Sequence, residues 1–346
     1  MTDTPRILAI TAMRNEGPFV LDWVAHLRAV GVDDILVYSN ECDDGTDRLL
    51  DVLAPFGVTH VAHAPKGKAV QWRALQTAKD HPLYAGADWV MAIDCDEYPV
   101  LKPPFASLRD LIAVSDAQAI VLPWRLFGSN GHLRFADQPT PERFTRAAPG
   151  RIVFPAAARF FKTLYHRASF ARPGIHRPKA RPQTAPAWVD GNGARIEGRF
   201  AQDDGSLLLP DPDVGYGRVQ LNHYSLRSAE DFMVKRRRGL PNRARKPIDA
   251  SYWAERNFNT VEDRSADHHA AQRNTLLAQA MALPGVAAAH AACVKAHKSR
   301  ISEILKDADE ARLFTRLALL RDSVPPDDAA GLDLLRIMND AQDNKA

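Results

Sequence analysis

Asp94-Cys95-Asp96 directly follows the apolar run Trp89-Val90-Met91-Ala92-Ile93, and here residue type and spacing point most clearly to chemistry. In an extended segment residues i and i+2 face one side, so both carboxylates would address a cleft while Cys95 turns away. Two carboxylates at a strand end suit a hard divalent cation shared with phosphate oxygens. The alternative is a pair of solvated turn aspartates, since Asp is common where strands end. Two more polar clusters, Arg14-Asn15-Glu16 and Asn40 to Asp44, also follow apolar runs.

The elements that must position these groups alternate strictly. Strand-like runs at Ile7 to Ile10, Ile35 to Tyr38, Val58 to Val61 and Trp89 to Ile93 are separated by segments of helical spacing, the first carrying Phe19, Val20, Trp23, Val24 and Leu27. Such alternation predicts a mostly parallel, Rossmann-like α/β sheet flanked by helices. Ligands bind such sheets at the carboxyl ends of the strands, where all three clusters fall. Residues from about 125 to 220 are rich in Pro, Gly and Arg and read as long loops with an antiparallel extension. From Asp267 onward the chain is Ala- and Leu-rich and helical. We therefore expect a catalytic domain over 1–262, with a nucleotide-binding half over about 1–125 and an acceptor half over 126–262, followed by a helical extension over 263–346.

Composition excludes several classes. With 346 residues, 45% of them hydrophobic and 25% charged, the chain can bury a sizeable core. A net charge of +3 is too small to indicate nucleic acid. Cys42, Cys95 and Cys293 are few and far apart, which fits a reducing cytoplasm better than a disulfide framework or a structural zinc. No signal-peptide pattern and no apolar stretch of spanning length is present, although work at a membrane surface stays open as a peripheral contact.

Thr11-Ala12-Met13-Arg14-Asn15-Glu16, Tyr38-Ser39-Asn40-Glu41-Cys42-Asp43-Asp44-Gly45-Thr46 and Ala92-Ile93-Asp94-Cys95-Asp96-Glu97-Tyr98 together resemble the successive motifs of family-two-like glycosyltransferases, most closely the group related to family ninety-two enzymes. The resemblance spans roughly residues 6 to 130 and returns at Asn222-His223-Tyr224. It implies a GT-A fold, a nucleoside-diphosphate sugar donor (a UDP-sugar favoured), a glycan or lipid-linked acceptor, Mn²⁺ or Mg²⁺, and inversion. It implies Asp94, Asp96 and His223 as metal ligands, and nucleotide contacts from Arg14, Asn15, Glu16, Asn40, Asp44, Lys68, Gln71 and Asp94. Ser39-Asn40 stands where many relatives carry an Asp pair, which leaves the base open.

Several of these residues have bland readings. Asp44 and Thr46 could do no more than turn the chain and cap a helix. Lys68, Gln71 and Arg73 could be a solvated helix face. A lone His such as His223 is more often a hydrogen-bonded structural residue. Lys235-Arg236-Arg237-Arg238 ends a helix opened by a Ser228–Asp231 capping box, where basic residues complement the dipole. Four cations exceed that need, so Lys235 is expected at the diphosphate and the others at solvent or an acidic acceptor. Trp124, Gly128 and His176 are candidates for a sugar or acceptor pocket, since sugar rings stack on aromatic faces.

Sugar transfer requires a stabilised leaving group and, for inversion, a base for the acceptor hydroxyl. A metal on Asp94 and Asp96 would meet the first need, giving Asp96 a catalytic role. Glu262, Asp263, Glu142 and Asp190 are candidates for the second. A metal-dependent phosphohydrolase or nucleotidyltransferase remains a rival, although Thr11 to Gly17 lacks the Gly-rich basic loop of a sugar nucleotidyltransferase. A catalytically silent glycan- or nucleotide-binding module is the other.

Overall fold

The computed structural model describes residues 4–64, 69–213, 215–239 and 248–343. The strands are β1 (Ile7–Met13), β2 (Asp34–Ser39), β3 (Val58–Ala62), β4 (Trp89–Ala92), β5 (Glu97–Leu101), β6 (Ala119–Leu126), β7 (Arg146–Ala147), β8 (Phe161–His166), β9 (Phe170–Arg172), β10 (Lys179–Ala180), β11 (Trp188–Val189), β12 (Arg195–Ile196), β13 (Val219–His223) and β14 (Val261–Glu262). The helices are α1 (Gly17–Ala29), α2 (Thr46–Val52), α3 (Val70–Ala78), α4 (Pro82–Ala85), α5 (Leu108–Ala113), α6 (Thr140–Arg143), α7 (Arg199–Gln202), α8 (Ala229–Arg238), α9 (Ala250–Ala254), α10 (Ala270–Met281), α11 (Val286–Ile304), α12 (Ala308–Leu319) and α13 (Asp328–Asp343).

Ten strands form one sheet in the order β12-β11-β6-β8-β4-β1-β2-β3, with β13 pairing β6 and β5 pairing β13. Strands β1 to β4 run parallel, and β6, β11 and β13 share their direction because β8 is antiparallel to both β4 and β6. The fold is therefore mixed α/β with a large, mostly parallel central sheet flanked by helices, as the alternation predicts. One element departs from expectation. Residues 161–166 lie in a segment read as loops, yet β8 is inserted into the middle of the sheet and buried.

Alternate residues of β1 enter two different cores, as period-two geometry requires. Ile7 and Ala9 pack with Trp23 and Leu27 of α1, Leu49 of α2 and, from the C-terminal helices, Ala280, Val286, Ala289 and Cys293. Leu8 and Ile10 pack with Ala74, Leu75 and Ala78 of α3 and with Phe161, Trp188 and Phe200. Residues beyond 262 thus contribute to the same core as the first helix. No single helix among the described residues is long and apolar enough to cross a membrane.

Two buried histidines pin β5 beneath α1. The His26 imidazole lies 2.7 Å from the Pro99 carbonyl, and the Leu101 N–H donates to His269 Nε2 at 3.1 Å. Burial first, and then the neighbouring histidines and Arg273, holds both rings neutral: His269 is pushed down to about 4 and His26 well below the usual range. The folded state therefore binds fewer protons here than the unfolded chain below pH about 6.5. Stability contributed by these rings is intact above that pH and lost as pH falls toward 4. His269 alone should remove about 3 kcal/mol across this window. Urea unfolding between pH 7 and 4 checks this, and His269→Gln should flatten the slope.

Candidate functional site

Because β1, β2, β4, β6 and β13 share a direction, their carboxyl ends lie on one edge, and the start of antiparallel β8 joins them there. β4 stops at Ala92, and residues 93–96 turn back into β5 through a Glu97 N–H to Asp94 carbonyl bond of 3.0 Å. The side chain of Glu97 closes the same turn by accepting the Asp94 N–H at 2.8 Å. Asp94 and Asp96 therefore sit in a turn and not in an extended strand, and their carboxylates take different partners. Cys95 faces the core, as expected.

Asp94 accepts from Lys162 Nζ at 2.9 Å and from Gln71 Nε2 at 2.5 Å, and its side chain remains one-third exposed. Asp96 is buried, accepting from Lys235 Nζ at 2.8 Å and standing 3.7 Å from His223 Nε2. Burial alone would raise the Asp96 carboxyl, but Lys235 and then His223 hold it well below the ordinary carboxylate range. Lys162 is wholly buried and also reaches Glu97 at 3.4 Å. Burial raises the Glu97 carboxyl above the ordinary range against the pull of that ammonium. Lys162 is the member of this cluster that sequence reasoning missed. The signal was a lysine inside the apolar run Phe161-Lys162-Thr163-Leu164-Tyr165.

Three residues expected at the nucleotide, Asn15, Glu16 and Asp44, hold the loops together. Asn15 exchanges two bonds with Asp43, at 2.7 and 2.9 Å. Asp44 accepts from the Thr46 N–H and hydroxyl and from the Gly17 N–H, so it both caps α2 and anchors α1. The Glu16 carboxylate lies between two guanidiniums, Arg227 at 3.3 Å and Arg238 at 2.5 Å. Arg238 also donates to the carbonyls of Arg14 and Asn15, and Arg227 to that of Cys95. Arg227 takes a left-handed backbone (φ 54°) with its guanidinium stacked 3.6 Å from the Phe19 ring centroid. Arg14 is partly exposed beside Glu41, and Asn40 is buried, donating to the His63 carbonyl. Lys68 lies outside the described residues, as do Arg243, Arg245 and Lys246.

The basic run of α8 is divided more inwardly than expected. Lys235 reaches Asp96, Arg236 pairs with Glu310 at 3.0 Å, and Arg238 closes on Glu16. The helix is fixed for this by its capping box and by the His297 ring, 2.8 Å from Asp231.

The three expected metal ligands are not gathered around one point. Among the described residues no group of three His, Cys, Asp or Glu side chains is arranged to hold a metal ion. Carboxylate oxygens suit Mn²⁺ or Mg²⁺, but each aspartate is engaged by an ammonium. Only Asp96 and His223 are neighbours. As arranged, the residues do not fit an Asp94–Asp96–His223 centre.

Trp124 and His176 do come to this edge. The Trp124 ring lies 4.0 Å from that of His223 and 5.7 Å from that of His176. Trp124 Nε1 and His223 Nδ1 are buried without a hydrogen-bond partner among the described residues. His176 Nδ1 is 2.9 Å from the Phe161 carbonyl, and burial followed by Lys162 pushes its ring down to about 4. Gly128 packs closely on the 257–259 segment. A Cβ there would stand 2.3 Å from Asn259 Oδ1, so its glycine serves close approach of the 257–259 segment.

The candidate bases are placed elsewhere. Gln220 and Asn222 point to the face of β13 opposite His223. Asp263 lies on that far face, bonded to Gln220 at 3.0 Å and to Ser265, with Arg125 3.5 Å away. Glu262 is exposed and paired with Arg264, Glu142 with Arg273, and Asp190 accepts backbone N–H groups of its own turn.

No family model matches the chain, and no curated protein matches it. A solved structure described as a glucose-1-phosphate thymidylyltransferase from Bacillus anthracis, in complex with a sucrose, is similar to part of the chain, with a TM-score of 0.30 and 14% identity over 47% of this chain and 72% of that one.

Proposed function

We propose that the chain is a GT-A-type glycosyltransferase, moving a sugar from a nucleoside-diphosphate sugar, a UDP-sugar by preference, to a hydroxyl of a glycan or lipid-linked acceptor with inversion. One observation carries this reading. Two carboxylates and two ammoniums, Asp94 with Lys162 and Asp96 with Lys235, converge at the edge where parallel strands bind ligands. A diphosphate leaving group gathers negative charge as the glycosidic bond breaks, and fixed cations there stabilise it. Lys235 and Lys162 are two of the cations at that edge, and Asp96 and Asp94 hold them in place. Trp124 supplies an aromatic wall beside them.

Mn²⁺ or Mg²⁺ enters this proposal as a competitor of the lysines. To reach either aspartate an ion must displace an ammonium. Calorimetry with UDP and GDP, with and without Mn²⁺, tests the reading, and a donor screen reading released nucleotide tests the transfer. Lys235→Met should weaken metal-free UDP binding by about tenfold or more, the value of a charge-assisted hydrogen bond. The same variant should bind Mn²⁺ more tightly than the wild type. Failure to bind either nucleotide under any of these conditions would sink the reading.

A further inference from the structure

We propose that Trp72 and Arg172 form a binding platform for a carboxylate-bearing saccharide at the rim of the Asp94 cluster. Calling that saccharide the acceptor rests on the transferase reading, but the platform itself does not.

The chain has six tryptophans. Trp23, Trp89, Trp124, Trp188 and Trp253 are buried, whereas Trp72 is 45% exposed. An indole left in water forgoes the transfer free energy of its apolar surface, and this one has a guanidinium beside it. The rest of α3 is ordinary, with Gln71, Ala74, Leu75 and Ala78 turned inward. Gln71 and Trp72 are consecutive, about 100° apart around the helix. Gln71 Nε2 donates to Asp94, so the indole stands beside the carboxylate cluster and opens outward from it.

Arg172, at the end of β9, places its guanidinium 5.8 Å from the Trp72 ring centroid. No carboxylate pairs with Arg172 among the described residues. Arg73, next in α3, is likewise without an ion pair there, and its charge is felt by His63 on the same rim. An exposed indole and a guanidinium over its ring, without a carboxylate partner among the described residues, match two features of one ligand. The C–H face of a pyranose stacks on the indole, and a carboxylate is met by the planar fork of the arginine, which binds it in a bidentate manner. A neutral saccharide would use only the first feature. A structural contact between α3 and β9 would need neither the exposure nor the open charge.

The test uses the full chain, with a galacturonate oligosaccharide and a neutral maltooligosaccharide of equal length as probes, read by calorimetry. Wild type should bind the galacturonate probe about tenfold more tightly than the neutral one, the value of about 1.4 kcal/mol. Arg172→Gln should erase that preference while keeping the neutral binding. Trp72→Ala should weaken both, and Trp72→Phe should restore most of the loss, which separates lost stacking from lost folding. Binding of neither probe by wild type overturns the proposal, as does unchanged binding by Trp72→Ala and Arg172→Gln. UDP binding by wild type, measured alongside, reports on the transferase reading separately, so the two can fail independently.

Discussion

Replacing Asp96 with Ala is expected to lower nucleotide-sugar turnover by on the order of 10²–10³-fold, the range for losing a preorganised electrostatic group. Asp96 is buried and is the carboxylate partner of Lys235, with His223 3.7 Å away. Without it the ammonium is no longer held against the sheet edge, and a buried cation is left uncompensated. Breaking a buried pair from one side destabilises by about 3–5 kcal/mol. The two losses separate experimentally. Nucleotide release measured well below the unfolding midpoint reads positioning, and urea unfolding reads stability. Asp96→Asn keeps the shape and removes the charge, so it should recover packing but little turnover. Near-wild-type turnover in Asp96→Ala would remove the cluster from the chemistry.

The second large effect lies outside the carboxylate pair. Glu16 is buried, and both of its oxygens are taken, one by Arg227 and one by Arg238. Glu16→Ala leaves two buried guanidiniums facing each other, and we expect a loss of about 3–5 kcal/mol in urea unfolding. Arg238 keeps only its bonds to the carbonyls of residues 14 and 15, so the β1 loop and α8 should be held less tightly. Nucleotide affinity should then fall together with stability, because Lys235 rides on α8. Glu16→Gln retains one acceptor and should be milder. An unchanged unfolding midpoint in Glu16→Ala would show that the clamp contributes nothing.

The sheet was legible because its first four strands are apolar runs punctuated by turn residues at regular spacing. Asp94 stood out as a candidate for the same reason, since the end of a buried parallel strand is where a ligand can reach. Lys162 was not, because its strand lies in a Pro- and Arg-rich stretch, pairs with β4 and β6 far away in sequence, and meets Asp94 only across 68 residues. Glu16, Asn15 and Asp44 lie on the edge the alternation pointed to, and their partners within the chain were not legible. Polar loops at a sheet edge must satisfy their own backbone groups first, and only the folded arrangement shows that Asp44 is used up on the N–H groups of Gly17 and Thr46. Asp263 illustrates the converse, since facing across β13 depends on a register that no local pattern reveals. The α8 arginines looked like a solvated patch because helical spacing alone does not say which acids come to meet them.

The clamp on Glu16 spans 211 and 222 residues of sequence, and the bridges from Asp94 and Asp96 span 68 and 139. In every case the acid is synthesised before its cation. A nascent chain that has emerged only through β6 therefore presents an edge of unanswered carboxylates, which repel one another and resist compaction. Closing contacts this distant in sequence is slow, because chain entropy is surrendered before the pairing energy is gained. The competent edge is thus a late product of folding, completed only when α8 docks.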